Sequence, residues 1–132
     1  MESEEHISLC KILKDDLYAF AGRLKIKTIC SSTAAEPTLP CCPKMFEHVP
    51  DFYGYSKDLK SAFIGEAKTK DDILNGHTES QIRSYIKYLE PFDNKLILFR
   101  VEIEDFFRLK RLICNSVTTG RNIFRINAQR IQ

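Results

Sequence analysis

The fold is decided by residues 49–69, which read VPDFYGYSKDLKSAFIGEAKT. Two runs rich in aromatic and apolar residues, 52–55 and 62–65, flank a polar turn over residues 56–61. Apolar runs on both sides of a short polar turn are typical of a β-hairpin. We therefore predict an antiparallel strand pair at the centre of the chain.

The hairpin brings three charged residues together. If it is symmetric about residues 58 and 59, Asp51 lies directly opposite Glu66, and opposed residues of an antiparallel pair have Cβ atoms about 5 Å apart. Side chains alternate along a strand, so Glu66 and Lys68 share one face. Two carboxylates this close destabilise a strand pair unless a cation lies between them, which suggests a divalent metal ion.

A helix and a strand are predicted before the hairpin. Ser3 is a suitable cap for a helix that runs to about Leu24, and residues 25–30 alternate like a strand. A loop rich in Ser, Thr and Pro follows over residues 31–43. The expected apolar stripe of the helix comprises Ile7, Cys10, Leu13, Leu17, Phe20 and Leu24.

Further elements follow the hairpin. Residues 70–77 are predicted to be a connecting loop, and Thr78 is expected to cap a helix from Glu79 to about Leu89, with Gln81 at its third position. The remaining predictions are a buried strand over 95–101, an amphipathic helix over 103–114 and an edge strand over 122–127. A strand that follows a crossover helix implies a parallel pair, so we predict an α/β fold with a mixed central β-sheet flanked by helices.

The bulk composition is that of an ordinary globular protein. With 132 residues, 43% hydrophobic and 29% charged, the chain is predicted to form a single domain over 1–132, with a core over about 3–114 and a basic C-terminal extension over 115–132. No apolar run approaches the roughly 20 residues of a membrane helix, so no membrane partner is expected. The acidic N-terminus is unlike a signal peptide. We expect a cytoplasmic protein, with the nucleus and the mitochondrion left open.

Positive charge is concentrated in the last third of the chain. Residues 1–94 contain 12 Lys/Arg and 15 Asp/Glu, whereas residues 95–132 contain 8 Lys/Arg and 3 Asp/Glu. Arg108, Lys110 and Arg111 are therefore candidate nucleic-acid-binding residues. A solvated basic helix and tail is the alternative interpretation.

The five cysteines, an odd count without a signal peptide, argue against a disulfide framework. A zinc site from Cys30, Cys41, Cys42 and His48 is the alternative, and it would make the chain a zinc-stabilised interaction domain. The absence of a C-x-x-C pair disfavours it.

The motifs resemble those of a known superfamily. Pro50-Asp51 followed by Glu66-Ala67-Lys68, on an αβββαβ order of elements, is similar to the PD-(D/E)XK nucleases, which have the restriction-endonuclease-like fold. Thr69 after the lysine and Gln81-x-x-x-Tyr85 on the next predicted helix resemble the RecB-like branch. The resemblance covers about residues 1–101.

The resemblance implies a catalytic set of Asp51, Glu66, Lys68, Gln81 and Tyr85. Asp51, Glu66 and the main-chain carbonyl of Ala67 would bind Mg²⁺ or Mn²⁺, which prefer oxygen ligands. Lys68 would orient the attacking water or stabilise charge in the transition state. Gln81 and Tyr85 lie four residues apart on one helix face and would orient the phosphate or Lys68.

Each of these residues also has a structural interpretation. Asp51 could begin a turn, Glu66 and Lys68 could form a solvated strand face, and Gln81 and Tyr85 could be helix-start and core residues. The family also places an acidic residue or a histidine of the first helix near the metal, so Glu4, Glu5 and His6 are candidates, of which we favour Glu4. His48 and His77 are expected to be surface histidines.

The sequence thus favours a metal-dependent nuclease, more DNA-directed than RNA-directed, acting as an exonuclease or a structure-directed endonuclease. A catalytically silent nucleic-acid-binding or assembly module of the same fold is the alternative. Because the chain is close to the minimal size of this fold, we expect it to form a homodimer or to join a larger repair or replication assembly.

Overall fold

The computed structural model describes residues 2–118 and 120–130, and in these residues a five-stranded mixed sheet carries helices on both faces. The strands stand in chain order across the sheet; β2 is antiparallel to both of its neighbours, β1 and β3, and the pairs β3–β4 and β4–β5 are parallel. The α/β prediction with a mixed sheet is confirmed. The strands are β1 (Ile26–Ser31), β2 (Phe52–Ser56), β3 (Ser61–Lys68), β4 (Asn94–Glu102) and β5 (Phe124–Gln129), and the helices are α1 (Glu4–Leu24), α2 (Lys70–Leu74), α3 (His77–Leu89) and α4 (Phe106–Ser116).

The hairpin has the predicted register. Phe52 pairs with Gly65 and Tyr53 pairs with Ile64, as symmetry about residues 58 and 59 requires. Every residue of β3 is buried, because β3 is the central strand and is covered on both faces. Its last residues therefore hold their polar side chains at the edge of the core.

Helix α1 begins where it was predicted. The Ser3 hydroxyl accepts a hydrogen bond from the His6 amide at 3.1 Å, and the helix ends at Leu24. The buried face differs from the predicted stripe, because Leu9 and Ala21 are buried while Phe20 and Leu24 are only half-buried. This face packs on one side of the sheet against Phe52 and Phe63, and a second apolar cluster on the other side includes Tyr85 of α3 and Leu109 of α4.

The segment over residues 70–77 is not the predicted loop, because it contains α2. The Thr69 amide and hydroxyl both donate to the Asp72 carboxylate, at 3.3 and 3.0 Å, which stabilises the first turn of this helix. The prediction that Thr78 caps the next helix is also wrong. Helix α3 begins at His77 after Gly76, and the buried Thr78 hydroxyl donates to the Asp72 carbonyl oxygen at 2.9 Å.

The elements near the C-terminus are displaced from their predicted positions. Helix α4 begins at Phe106 rather than Ile103, because residues 103–105 form a 3-10 turn. Asn122 lies in another 3-10 turn, and β5 starts at Phe124. Since β5 pairs with β4 from Ile97 to Glu102, the segment treated as an extension contributes a strand to the sheet.

Candidate active site

An open depression of about 400 Å³ lies at the carboxyl end of β3. Its walls come from the start of α1, the segment before β2, the end of β3, and helices α2 and α3. The depression contains Asp51, Glu66, Lys68 and Gln81, and it also contains the side chain of His6. The structure thus assembles at one place residues that lie up to 75 positions apart in the chain.

Asp51 and Glu66 are held together by reciprocal hydrogen bonds. The Asp51 amide donates to Glu66 Oε1 at 3.3 Å, and the Ala67 amide donates to Asp51 Oδ2 at 2.9 Å. Pro50 has no amide hydrogen to extend the β-ladder beyond Phe52. Where the backbone pairing ends, the side-chain carboxylates accept the hydrogen bonds of the backbone amides instead. The two carboxylates are therefore fixed by the backbone of both strands.

Three ionisable side chains are buried in this small region. Asp51, Glu66 and Lys68 are only 9%, 3% and 3% exposed. Burying charges costs several kcal/mol per ion unless they are paired, and Lys68 Nζ lies 3.5 Å from Glu66 Oε2. A solvated strand face would leave these side chains exposed, so that alternative is wrong for Glu66 and Lys68.

Gln81 and Tyr85 each contact one of these charges. Lys68 Nζ donates to Gln81 Oε1, and the Tyr85 hydroxyl donates to Glu66 Oε1 at 2.6 Å. Tyr85 is fully buried and its hydroxyl contacts a carboxylate, whereas the resemblance implied the phosphate or Lys68 as its partner. The two helix residues thus position Lys68 and Glu66 from α3.

The charge balance perturbs the titration of Glu66. Burial raises the pKa of its carboxyl above the ordinary value, the negative charge of Asp51 raises it further, and Lys68, Tyr85 and His6 act in the opposite direction. Two neighbouring carboxylates cannot both ionise freely, because their like charges repel. A bound cation would remove this repulsion.

The residue of α1 that faces the carboxylates is His6, not Glu4. His6 Nε2 lies 3.1 Å from Asp51 Oδ2, whereas the Glu4 side chain is exposed. Burial lowers the pKa of His6, but the hydrogen bond to Asp51 and further contacts outweigh it and raise the pKa to about 11. The contact with Asp51 therefore favours the charged form of the His6 imidazole.

Cys10 lies beside this ion pair, one helical turn after His6. Its Sγ is 3.9 Å from His6 Nε2, and burial raises the pKa of the thiol to about 11. Across residues 2–118 and 120–130, His6, Cys10 and Asp51 form the one group of three or more His, Cys, Asp or Glu side chains with ligand atoms all within 4.8 Å. The predicted alternative of a zinc site from Cys30, Cys41, Cys42 and His48 is not such a group. His48 is instead buried and hydrogen-bonded to Ser80 Oγ at 2.9 Å.

The surroundings of the depression are acidic. Asp71 and Asp72 of α2 line it. Burial raises the pKa of Glu5, and the negative charges of Glu102, Asp105, Asp71 and Asp72 raise it further. An anion such as phosphate would be repelled by this field unless a cation were bound first.

The donor set suits a hard divalent cation. Asp51 Oδ2 and Glu66 Oε1 are engaged by protein donors, while Asp51 Oδ1 has no hydrogen-bond partner within the described part of the chain. Carboxylate oxygens are the ligands that Mg²⁺ and Mn²⁺ prefer. Asp51 and Glu66 thus fit such an ion, with Ala67 adjoining them on β3.

The predicted nucleic-acid-binding residues are divided between two surfaces of α4. Arg108 and Arg111 line a groove of about 500 Å³ together with the exposed Phe107, and Arg108 pairs with Asp105 at 2.7 Å. Lys110 lies instead beside the Phe106 ring on the side that faces β5. The groove also includes Glu79 of α3, the helix that supplies Gln81 to the depression.

Sequence reasoning missed Glu2, Cys10 and Asp72 at this site. The T-x-x-D spacing of Thr69 and Asp72 is a capping signal that could have revealed α2. Cys10 gave no such signal, because the packing of α1 on the sheet places it, and neither did Glu2, which is held by Thr33 and Ala34.

Comparisons of the chain with family models, with curated proteins and with solved structures found no match. None of the helices in the described residues combines the length and the apolar character that crossing a membrane requires.

Proposed function

We propose that this chain is a divalent-metal-dependent nuclease with a restriction-endonuclease-like core, which hydrolyses phosphodiester bonds in DNA. The observation that carries the proposal is the burial of Asp51, Glu66 and Lys68 at the wall of an open depression, with Glu66 in contact with both of the others. Buried charges that perturb one another in a cleft are costly to stability, and such clusters concentrate at functional sites.

The residues fit the requirements of phosphodiester hydrolysis. Asp51 and Glu66, with the carbonyl of Ala67 as the family resemblance implies, would hold Mg²⁺ or Mn²⁺. When bound, the ion polarises the phosphate and lowers the pKa of water. The Lys68 ammonium supplies positive charge where negative charge develops on the phosphate, and a preorganised charge is most effective in a site with little water.

The neighbouring residues fix these groups in place. Gln81 Oε1 accepts a hydrogen bond from Lys68, which limits the directions in which the ammonium can point. Tyr85 holds Glu66 Oε1 and leaves Oε2 toward Lys68. Gln81 and Tyr85 are therefore positioning residues for the lysine and the carboxylate.

We assign DNA rather than RNA as the substrate because the motifs resemble those of the RecB-like branch. The motifs are Pro50-Asp51, Glu66-Ala67-Lys68 and Gln81-x-x-x-Tyr85. The groove of Arg108 and Arg111 is the surface we assign to the flanking phosphates, because it adjoins the helix that lines the depression.

Cleavage of labelled DNA tests the proposal. Linear, nicked, branched and single-stranded DNA, with a single-stranded RNA in parallel, are incubated with the protein in Mg²⁺, Mn²⁺ or chelator. Glu66→Gln is the test variant, and Glu90→Gln, which removes the same charge from an exposed site, is its matched control.

We expect metal-dependent cleavage by the wild type and by Glu90→Gln, and none by Glu66→Gln. If only RNA were cleaved, the substrate would be RNA rather than DNA. If metal-independent binding occurred without cleavage, and was unaffected by Glu66→Gln, the chain would instead be a binding module.

A further inference from the structure

A second set of metal donors overlaps the carboxylate pair. His6 Nε2 is 3.1 Å from Asp51 Oδ2 and 3.9 Å from Cys10 Sγ, and the three ligand atoms all lie within 4.8 Å of one another. We propose that His6, Cys10 and Asp51 bind a borderline-soft divalent cation, Zn²⁺ in particular, at a site that shares Asp51 with the oxygen-only site of the hydrolytic centre.

Two of the three donor separations are close to those of a tetrahedral zinc site, and the third is within 4.8 Å. With Zn–S of about 2.3 Å and Zn–N and Zn–O of about 2.0–2.2 Å, ligand atoms at tetrahedral angles lie about 3.3–3.6 Å apart. The observed distances of 3.1 and 3.9 Å differ from this by less than the reach of small side-chain rotations. His6 and Cys10 are four residues apart on α1 and so project from the same face.

A carboxylate lies behind the histidine, on the side away from Asp51. His6 Nδ1 lies 3.5 Å from Glu2 Oε1, and Nε2 faces Asp51, while Cys10 Sγ lies 3.9 Å from both ring nitrogens. Glu2 is itself held by the Thr33 hydroxyl and the Ala34 amide, at 3.1 and 2.9 Å. A carboxylate behind a ligating histidine is the usual outer shell of a zinc site, and it fixes the tautomer that binds the ion.

The thiol sets the choice of ion. Mg²⁺ and Mn²⁺ prefer oxygen ligands, whereas sulfur with imidazole suits Zn²⁺. Binding replaces the protons on the Cys10 thiol and the His6 imidazolium, and both protons leave to solvent. Three protein ligands leave a fourth position for water.

The two sites share Asp51, so they compete for one carboxylate. Zn²⁺ at His6, Cys10 and Asp51 would therefore inhibit Mg²⁺-dependent cleavage. This competition rests on the proposed function, whereas zinc binding does not, and the test of binding uses no DNA.

Co²⁺ is a spectroscopic probe for this site, because a thiolate ligand gives a charge-transfer absorption in the near ultraviolet. Chelator-treated wild type is titrated with Co²⁺ and then with Zn²⁺. Cys10→Ser and Cys10→Ala are the test variants, both checked for folding by circular dichroism. The matched controls are Cys41→Ser and Cys114→Ser, which remove thiols elsewhere in the chain.

We expect the thiolate band at one equivalent of Co²⁺ in the wild type and in both controls, its loss in both Cys10 variants, and its removal by Zn²⁺. Glu2→Gln should weaken Zn²⁺ binding by about tenfold, because outer-shell partners typically contribute that much. The proposal is overturned if the wild type gives no thiolate band, if a folded Cys10 variant keeps it, or if Cys41→Ser removes it.

Discussion

Glu66 receives contacts from three separate elements of the structure. The Tyr85 hydroxyl comes from α3, the Asp51 amide from the segment before β2, and the Lys68 ammonium from the same strand. With its side chain almost fully buried, this carboxyl depends on these contacts for the stability of its charged form.

The stability of the metal-free protein should therefore depend on the ionisation of Glu66. Its pKa in the folded protein is raised, by burial first and by Asp51 second, so its protonated form favours folding. That contribution is complete below the ordinary carboxyl pKa and is lost as pH rises through the raised value. We expect the free energy of unfolding of the wild type to fall relative to that of Glu66→Gln between about pH 5 and about pH 9.

Urea denaturation of both proteins in chelator, at a series of pH values, measures this difference. Asp51, Lys68, Tyr85 and His6 face Glu66 in both proteins, so their own titrations largely cancel. Parallel stability curves for the two proteins would show that Glu66 titrates as an ordinary carboxyl.

The proximity of Asp51, Glu66 and Lys68 could be predicted from the sequence, because the register of a hairpin and the alternation of side chains along a strand are local properties. The partners of these residues are not local. The choice of His6 over Glu4, and the contact of Tyr85 with Glu66, depend on how far α1 and α3 are rotated on the sheet. These contacts of His6 and Tyr85 cannot be predicted from one sequence, because the sequence does not give the packing angles of the two helices.

Two glycines let elements approach closely at the centre of the sheet. A Cβ at Gly54 would lie 2.5 Å from the Phe63 ring, and a Cβ at Gly65 would lie 2.5 Å from Leu17 Cδ1. Phe63 is fully buried and its ring is rigid, whereas the end of Leu17 can rotate. A Cβ is therefore harder to accommodate at Gly54 than at Gly65.

Gly54→Ala should destabilise the protein by about 1–3 kcal/mol, because overpacking a filled core forces neighbouring atoms to shift. Gly22 provides the contrasting control, since a Cβ there meets nothing within 4 Å and the residue lies in α1. Gly22→Ala should stabilise by about 0.5–1 kcal/mol through helix propensity. Denaturant unfolding measures the free energy of unfolding of both variants. Equal effects of the two substitutions would contradict this packing.

The element order was accessible from periodicity, but some boundaries were not. Helix α2 has five residues, too few to show a helical repeat, and Thr78 resembles a cap although its hydroxyl is buried against Asp72. Strand β5 is identified by its pairing with β4, a long-range contact that its own sequence indicates only weakly.

Charge is distributed unevenly over the whole molecule. The depression and its rim are acidic, while Arg108 and Arg111 line a groove next to α3. A DNA strand would place its scissile phosphate on a cation in the depression and adjacent phosphates along the groove. Lys110, on the other side of α4, would not contact that strand.

The salt dependence of DNA binding should reflect this division. Arg108→Ala with Arg111→Ala should reduce the slope of log affinity against log salt by about two, because each lost phosphate contact removes about one counterion. Lys110→Ala should leave the slope unchanged, as should Lys57→Ala with Lys60→Ala in the hairpin turn at the opposite end of β3. An equal loss from Lys110→Ala would show that the basic residues act as one patch.

Single-turnover cleavage by Asp51→Asn tests most directly the proposal that Asp51 and Glu66 hold a metal ion for DNA hydrolysis. Asp93→Asn, which removes the same charge from an exposed position, is the control. We predict at least about a 100-fold loss of the Mg²⁺-dependent rate in Asp51→Asn, because a metal supplies several kcal/mol of charge stabilisation. Mn²⁺ binding, measured on the same folded samples, should weaken in parallel, and Asp93→Asn should match the wild type in both. Cleavage by folded Asp51→Asn at the wild-type rate would contradict the account.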